Sequence, residues 1–389
     1  MNRSPEAPSG RQELRKTLKP QWVWAVALGS AIGWGAFVLP QDLLGQAGPL
    51  GASLGLVIGG ALMCVIAVSY GLLIRHFPVS GGEYAYAYTF FGRTHAFIAG
   101  WALVLGYISI IALNASALAP PWAYVGFDNV PQAAEEFDFS PTKAFGLIVL
   151  AIVSAAAIYV AMVVATAVAQ PWPQMVADEP AWGTADGLET LFGPVGLVLL
   201  AAAVVMGVST GLNGFYVSAS RLLFAMGRAR VLPPFFATIN RAGAPGHAVW
   251  FAAGLCLIAP LFGREALLWV VDMTSVGVTV AYTYTCLAAY RLWRWSGSDQ
   301  GEADTRSSAR KVLSGLGVLT GLLFLGLLLL PGSPAQLSAP SWVALGVWVG
   351  LGVVFYLVRL PSSRQVDDEE MDHLVLGDHA ERRPSGGPR

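Results

Sequence analysis

Long stretches of this chain, among them residues 20–41, 43–74, 96–127, 144–177 and 312–358, pass without a single Asp, Glu, Lys or Arg. A helix needs about 20 apolar residues to cross the ~30 Å hydrocarbon core of a bilayer, and every run is long enough. A water-soluble fold cannot hide so many charge-free runs. The composition agrees: 12% of the 389 residues are charged, against about 25% in soluble domains. The expected fold class is an all-α integral membrane protein. The first apolar run follows a polar start and is too long for the core of a cleaved signal peptide.

The same composition excludes several functions. A net charge of −1 with no basic patch interleaved with aromatics gives no nucleic-acid surface. Cys64, Cys256 and Cys286 lie in apolar runs with neither metal-ligand nor disulfide spacing, and the five histidines form no cluster. No G-x-S-x-G, Walker A or nucleophile–base constellation is present. The chain is therefore read as neither an enzyme nor a protein with a resident cofactor or metal.

Apolar runs and their flanks predict helices over 21–46, 49–74, 95–119, 144–169, 193–229, 244–262, 265–291, 312–330 and 341–359. Basic loops face the cytoplasm, which places both termini there. Arg75, Arg93, Lys143, Arg221 and Arg359 then fall inside, and the acidic loop 170–192 falls outside. This parity requires a tenth crossing within residues 120–137. Eighteen helical residues reach about 27 Å, and Pro120, Pro121 and Pro131 interrupt them. Part of that crossing must be extended, which a bilayer tolerates only inside protein or beside water. Segment 193–229 would be about 55 Å long as one helix, so its last part should enter the cytoplasm or bend along the surface. Residues 1–20 read as an N-terminal tail, 21–361 as the transmembrane domain and 362–389 as a C-terminal tail without fixed structure.

The first run contains "GSAIGWGAF" (Gly29–Phe37). Each interior glycine costs about 1 kcal/mol relative to alanine, so Gly29, Gly33 and Gly35 make local unwinding cheap. Unwound backbone at mid-bilayer must find polar partners, and a substrate can be one. Helix packing through small residues is the alternative, and it is the reading given to Gly55–Gly59, Gly317–Gly321 and Gly346–Gly350.

Four further motifs accompany the first: "FPVSGGEYAYAYTFFG" (Phe77–Gly92), "VGFDNVPQAAEE" (Val125–Glu136), "SRLLFAMGRARVLP" (Ser220–Pro233) and "DMTSVGVTVAYTYTCLAAYRL" (Asp272–Leu292). In that order they resemble the first-helix break, the loop between helices two and three, the second half of helix six, the end of helix eight and helix ten of the amino acid–polyamine–organocation family of secondary transporters. The resemblance implies an inverted five-helix repeat, broken helices one and six, and a central site between them. Carried over by position, Ser30, Ala31, Ile32, Gly33, Trp34 and Gly35 would hold the carboxylate and amine ends of an amino acid or amine. Tyr124, Val125, Gly126 and Phe127 would line the facing break. Ser209 and Thr210 would stand near a cation position, with hydroxyl bonding back to the helix as the alternative. The sequence departs from the family near residues 119–121, where the end of helix three runs almost directly into helix six. Helices four, five and the first half of six are missing, which bears on ion coupling.

Among charges near the membrane, Asp128 is the candidate buried carboxylate that could carry a proton; an interfacial position near Glu135 and Glu136 is the alternative. Asp42 and Asp272 are placed at the outer interface, and Glu83 as a cap of the helix that follows it. Most tryptophans, Trp101 among them, read as interfacial belt residues; Trp34 and Trp122 lie beside the breaks. The leading expectation is a multi-pass transporter of the plasma or inner membrane, driven by H+, Na+ or exchange because no ATP motif exists. The alternatives are a truncated homologue that binds without transporting and an integral membrane enzyme. Oligomeric state is left open.

Overall fold

The computed structural model describes residues 14, 16–33, 35–116, 126–178, 182–241, 243–258, 263–299, 305–333 and 335–383. The first apolar run does break. Helix α1 (Pro20–Ile32) ends at Gly33 in a left-handed conformation (φ 48°), and a single turn, α2 (Gly35–Val38), follows. Proline is tolerated in a helix's first turn, where its missing N–H is no loss, and Pro40 opens α3 (Pro40–His76). A non-helical Gly48 (φ 65°) before Pro49 divides α3, so Pro40–Ala47 is a separate helical piece and not the end of the first span.

Glycines with positive φ at 81 and 92 bracket α4 (Gly82–Phe91), a short helix buried almost throughout. It leads into α5 (Arg93–Ser116). Past residue 125 the chain forms a turn, the one-turn α6 (Asn129–Gln132) and a 3-10 turn over Ala134–Glu136. The described part of residues 120–137 is thus irregular and mostly buried inside protein. Then come α7 (Ala144–Ala169), α8 (Trp172–Asp178), α9 (Gly183–Phe192) and α10 (Pro194–Arg228). The remainder is α11 (Gly246–Ile258), α12 (Gly263–Asp299), α13 (Thr305–Leu329), α14 (Ala339–Arg364) and α15 (Asp368–Leu376). Seven helical stretches among the described residues are long and apolar enough to cross a membrane.

Helix α3 packs on α7, α12 on α5 and α13, and α10 on α1 and α5. Lipid gives apolar faces no reason to associate, so close approach through small residues does much of the holding. A Cβ on Gly277 would sit 2.3 Å from Ala102 O, so α5 and α12 touch backbone to backbone. Gly317 and Gly321 pack against Cys286 and Thr283 as expected, but Gly55, Gly346 and Gly350 have open space where a side chain would be. Trp101 is a packing residue, contrary to the belt assignment. It stacks on Trp348 at 4.6 Å, and each indole N–H donates to the other residue's carbonyl.

The end of α10 is packed inside protein: Ser218 to Arg228 are mostly buried, and Arg221 and Arg228 pair with Glu136 and Glu135. One other expectation is corrected. The C-terminal tail is ordered over much of its length. Met371, Val375 and Leu376 of α15 are buried, and Arg93 bonds Asp368 at 2.6 Å. An apolar stripe and buried-partner charges fix the tail where composition alone suggested a solvated one.

Candidate substrate site

Unwinding between α1 and α2 frees carbonyls, and neighbouring helices satisfy them. Tyr159 of α7 donates to Ile32 O at 3.1 Å, and Trp182 donates to Phe37 O at 3.0 Å. Gly33 N still bonds Gly29 O at 3.1 Å, closing the last turn of α1. Ser30, Ala31 and Gly33 are buried; Ile32 and Gly35 are half-buried.

The turn at Gly126 meets the last turn of α1 directly. Gly126 (φ 147°) leaves no room for a side chain: a Cβ would lie 2.5 Å from Ala31 N and 2.7 Å from Ser30 C. The glycines of α10 press from a third side. A Cβ on Gly207 would be 2.1 Å from Gly33 O, and one on Gly214 would be 1.8 Å from Ser30 Oγ. Phe127 is fully buried and packs edge-on against Tyr70 (5.5 Å) and beside Tyr282 (5.4 Å). Trp34, Tyr124 and Val125 lie outside the described residues, as does Trp122.

Asp128 is fully buried, not interfacial. Its Oδ1 accepts Gly126 N–H at 2.7 Å, and its carbonyl accepts Tyr107 OH at 3.1 Å. Tyr282 OH lies beside the Asp128 carboxylate; Ser30 Oγ, both side-chain polar atoms of Asn129 and Ser218 Oγ have no hydrogen-bond partner among the described residues. Buried polar atoms almost always have partners, and these lie on the elements that carry the two breaks and on α10.

Glu83 does not cap α4. Its carboxylate accepts Tyr70 OH at 2.7 Å and Gln132 Nε2 at 2.5 Å, and it is fully buried. Burial, followed by the nearby Asp128 charge, pushes its pKa up to about 8. Sequence reasoning missed Tyr70, Tyr107, Asn129, Gln132 and Tyr282. The available signal was polar side chains inside otherwise apolar runs, with Glu83 the charge next to them.

Ser209 and Thr210 do not form a buried cation position. Both are exposed, and Thr210 Oγ1 donates to Met206 O at 2.9 Å, the back-bonding alternative. Thr210 still touches α1, with Gly29 O 3.4 Å from its hydroxyl. Asp272 accepts Ser341 Oγ at 2.5 Å, tying α12 to the start of α14.

A family model described as amino acid permease matches residues 115–354, and a second with the same description matches residues 23–121. The chain belongs to the amino acid permease family. Curated relatives agree. The amino-acid permease RocC of Bacillus subtilis is 29% identical over 170 residues, 38% of this chain and 36% of RocC. The branched-chain amino acid permease BcaP of Lactococcus lactis is 28% identical over 204 residues, 51% of this chain and 42% of BcaP. The lysine-specific permease LysP of Escherichia coli is 24% identical over 395 residues, covering 74% of this chain and 80% of LysP. The chain thus spans about a third of RocC, while its match to LysP reaches across most of that relative at lower identity. Within the family member, both broken segments fall inside the matched regions.

Proposed function

We propose that this chain moves an amino acid or related amine across the membrane by alternating access, with the substrate held between the break at Ile32–Gly35 and the turn at Gly126–Asn129. The observation that carries this reading is the backbone apposition of Gly126 and Ala31, with Ser30 Oγ and the Asn129 amide buried there and without a hydrogen-bond partner among the described residues. Unwound backbone supplies N–H and C=O groups for the two ends of an amino acid. Opening this apposition would admit the substrate. Relatives named for lysine and branched-chain amino acids support the substrate class. The placement is the plasma or inner membrane with both termini cytoplasmic, supported by the basic residues gathered at one end of the bundle. For coupling, the buried Glu83–Asp128 pair favours a proton over a cation at Ser209 and Thr210. Uptake of labelled amino acids and amines by purified protein in liposomes tests the reading; no uptake of any with correctly inserted protein would refute it.

The second reading is a shortened homologue that binds without transporting. Covering 74% of 389 residues takes about 290 residues, so the 395-position LysP alignment sets roughly 100 positions of LysP opposite none of this chain. The two family matches also meet at residues 115–121, where the sequence places the loss of helices four, five and the first half of six. Exposure of Ser209 and Thr210 on α10 fits a bundle without those helices. Substrate binding with no counterflow in the liposome experiment would favour this reading.

A further inference from the structure

Away from the central site, the basic end of the bundle carries a cavity of about 790 Å³ between the start of α5, the end of α14 and the link to α15. Arg93, Thr94, His95, Tyr356 and Arg359 bring donors to it. Arg93 is occupied by Asp368 and by Val366 O. Arg359 has no carboxylate partner among the described residues. The first-turn N–H groups of α5 have no carbonyl one turn back and face an anion favourably. Asp367 is exposed and also lines the cavity, so with Arg93 and Asp368 paired to each other the lining leaves one cation, Arg359, and one solvent-facing carboxylate.

The cavity continues into an apolar groove of about 350 Å³ between α5, α12 and α14. The two share Thr94, Phe97 and Tyr356, with the Thr94 and Tyr356 hydroxyls 2.7 Å apart at the junction. Beyond it the walls are Ile98, Leu105, Val280, Leu345, Val349 and Val353, over the Trp101–Trp348 stack. A polar, cation-bearing pocket opens into an apolar-lined groove along the helices. That is the polarity profile of one lipid molecule, and basic pockets between membrane helices bind lipid headgroups.

We infer that this cavity and groove form a specific glycerophospholipid site, with the phosphate at Arg359 and the start of α5 and an acyl chain along Ile98 and Val353. The occupant is a lipid and not free phosphate because the groove offers nothing to an ion and its apolar walls are continuous with the pocket.

The test is lipid retention by the full-length purified protein in detergent, read by native mass spectrometry. The probes are dioleoyl phosphatidylglycerol, dioleoylglycerol and inorganic phosphate. Phosphatidylglycerol should be retained one to one and at least tenfold more tightly than dioleoylglycerol, and millimolar phosphate should not displace it. Arg359→Gln should weaken phosphatidylglycerol about tenfold and leave dioleoylglycerol unchanged. Val353→Trp, or Ile98→Trp should the first not fold, should weaken both. Equal retention of the two lipids, displacement by phosphate, or an unchanged Arg359→Gln protein would overturn the inference.

Discussion

Gly126 rests its backbone on Ala31, so close that a β-carbon at 126 would lie 2.5 Å from the Ala31 nitrogen. Two segments more than ninety positions apart in the chain therefore meet where the irregular turn at Gly126 seats against the last turn of α1. Gly126 also holds φ 147°, which side-chain-bearing residues rarely adopt.

Gly126→Ala follows from that contact. Overpacking and backbone strain each cost about 1–3 kcal/mol, and both act at this residue. The variant should insert normally yet lose more than tenfold in uptake, with a lower melting temperature in detergent. Wild-type uptake from this variant would separate the contact from transport.

Tyr159→Phe removes the donor from Ile32 O without changing shape. A carbonyl left unpaired inside the protein costs about 1–3 kcal/mol. The expected outcome is weaker substrate binding and lower thermal stability, measured by ligand-dependent melting. Trp182→Phe, which frees Phe37 O, should act in the same direction.

How much of this was legible beforehand depends on the range of the interaction. The break at Gly33 could be read locally, because glycine spacing alone makes a helix weak. The burial of Asp128 was one of two readings, and only the fold chose between them. Tyr159 was invisible: a tyrosine in an apolar run looks like any interior residue until the fold sets it against Ile32. The tail was misread for the same reason. Asp368 looks solvated in sequence, and its partner Arg93 lies 275 residues away. Ser209 and Thr210 carry hydroxyls suited to a cation, but the neighbouring elements that would enclose them are not packed over this face.

Glu83 gives the pH prediction. Its ordinary carboxyl pKa of 4.5 is raised to about 8 by burial first and Asp128 second. Between those values the folded protein keeps a proton that the unfolded chain has released. Stability from this group is therefore complete below about 4.5 and lost as pH rises through about 8. Melting temperature should fall between pH 5 and pH 9. Glu83→Gln, which keeps a neutral polar group facing Gln132 and Tyr70, should flatten that fall and melt higher than the parent at pH 9. An unchanged pH profile would show that Glu83 does not titrate in this window.

The C-terminal helix supplies the last prediction. Met371, Val375 and Leu376 are buried, so α15 is held by apolar contact as well as charge. Asp372 accepts hydrogen bonds from Tyr88 at 2.7 Å and from Arg383, fastening α15 to α4. Arg230 and Glu370 also pair at 2.7 Å, but both are about half exposed, where a bridge is worth about 0–1 kcal/mol. Met371→Asp should therefore undock the tail, and Glu370→Ala should hardly affect it. Burying an unpaired carboxylate is more expensive than releasing a short helix, so release is the expected response. Limited proteolysis with trypsin should cut Met371→Asp after Arg382 much faster than the parent, while the membrane-embedded part stays intact. Equal cleavage of the two proteins would mean that α15 is not held by its apolar face.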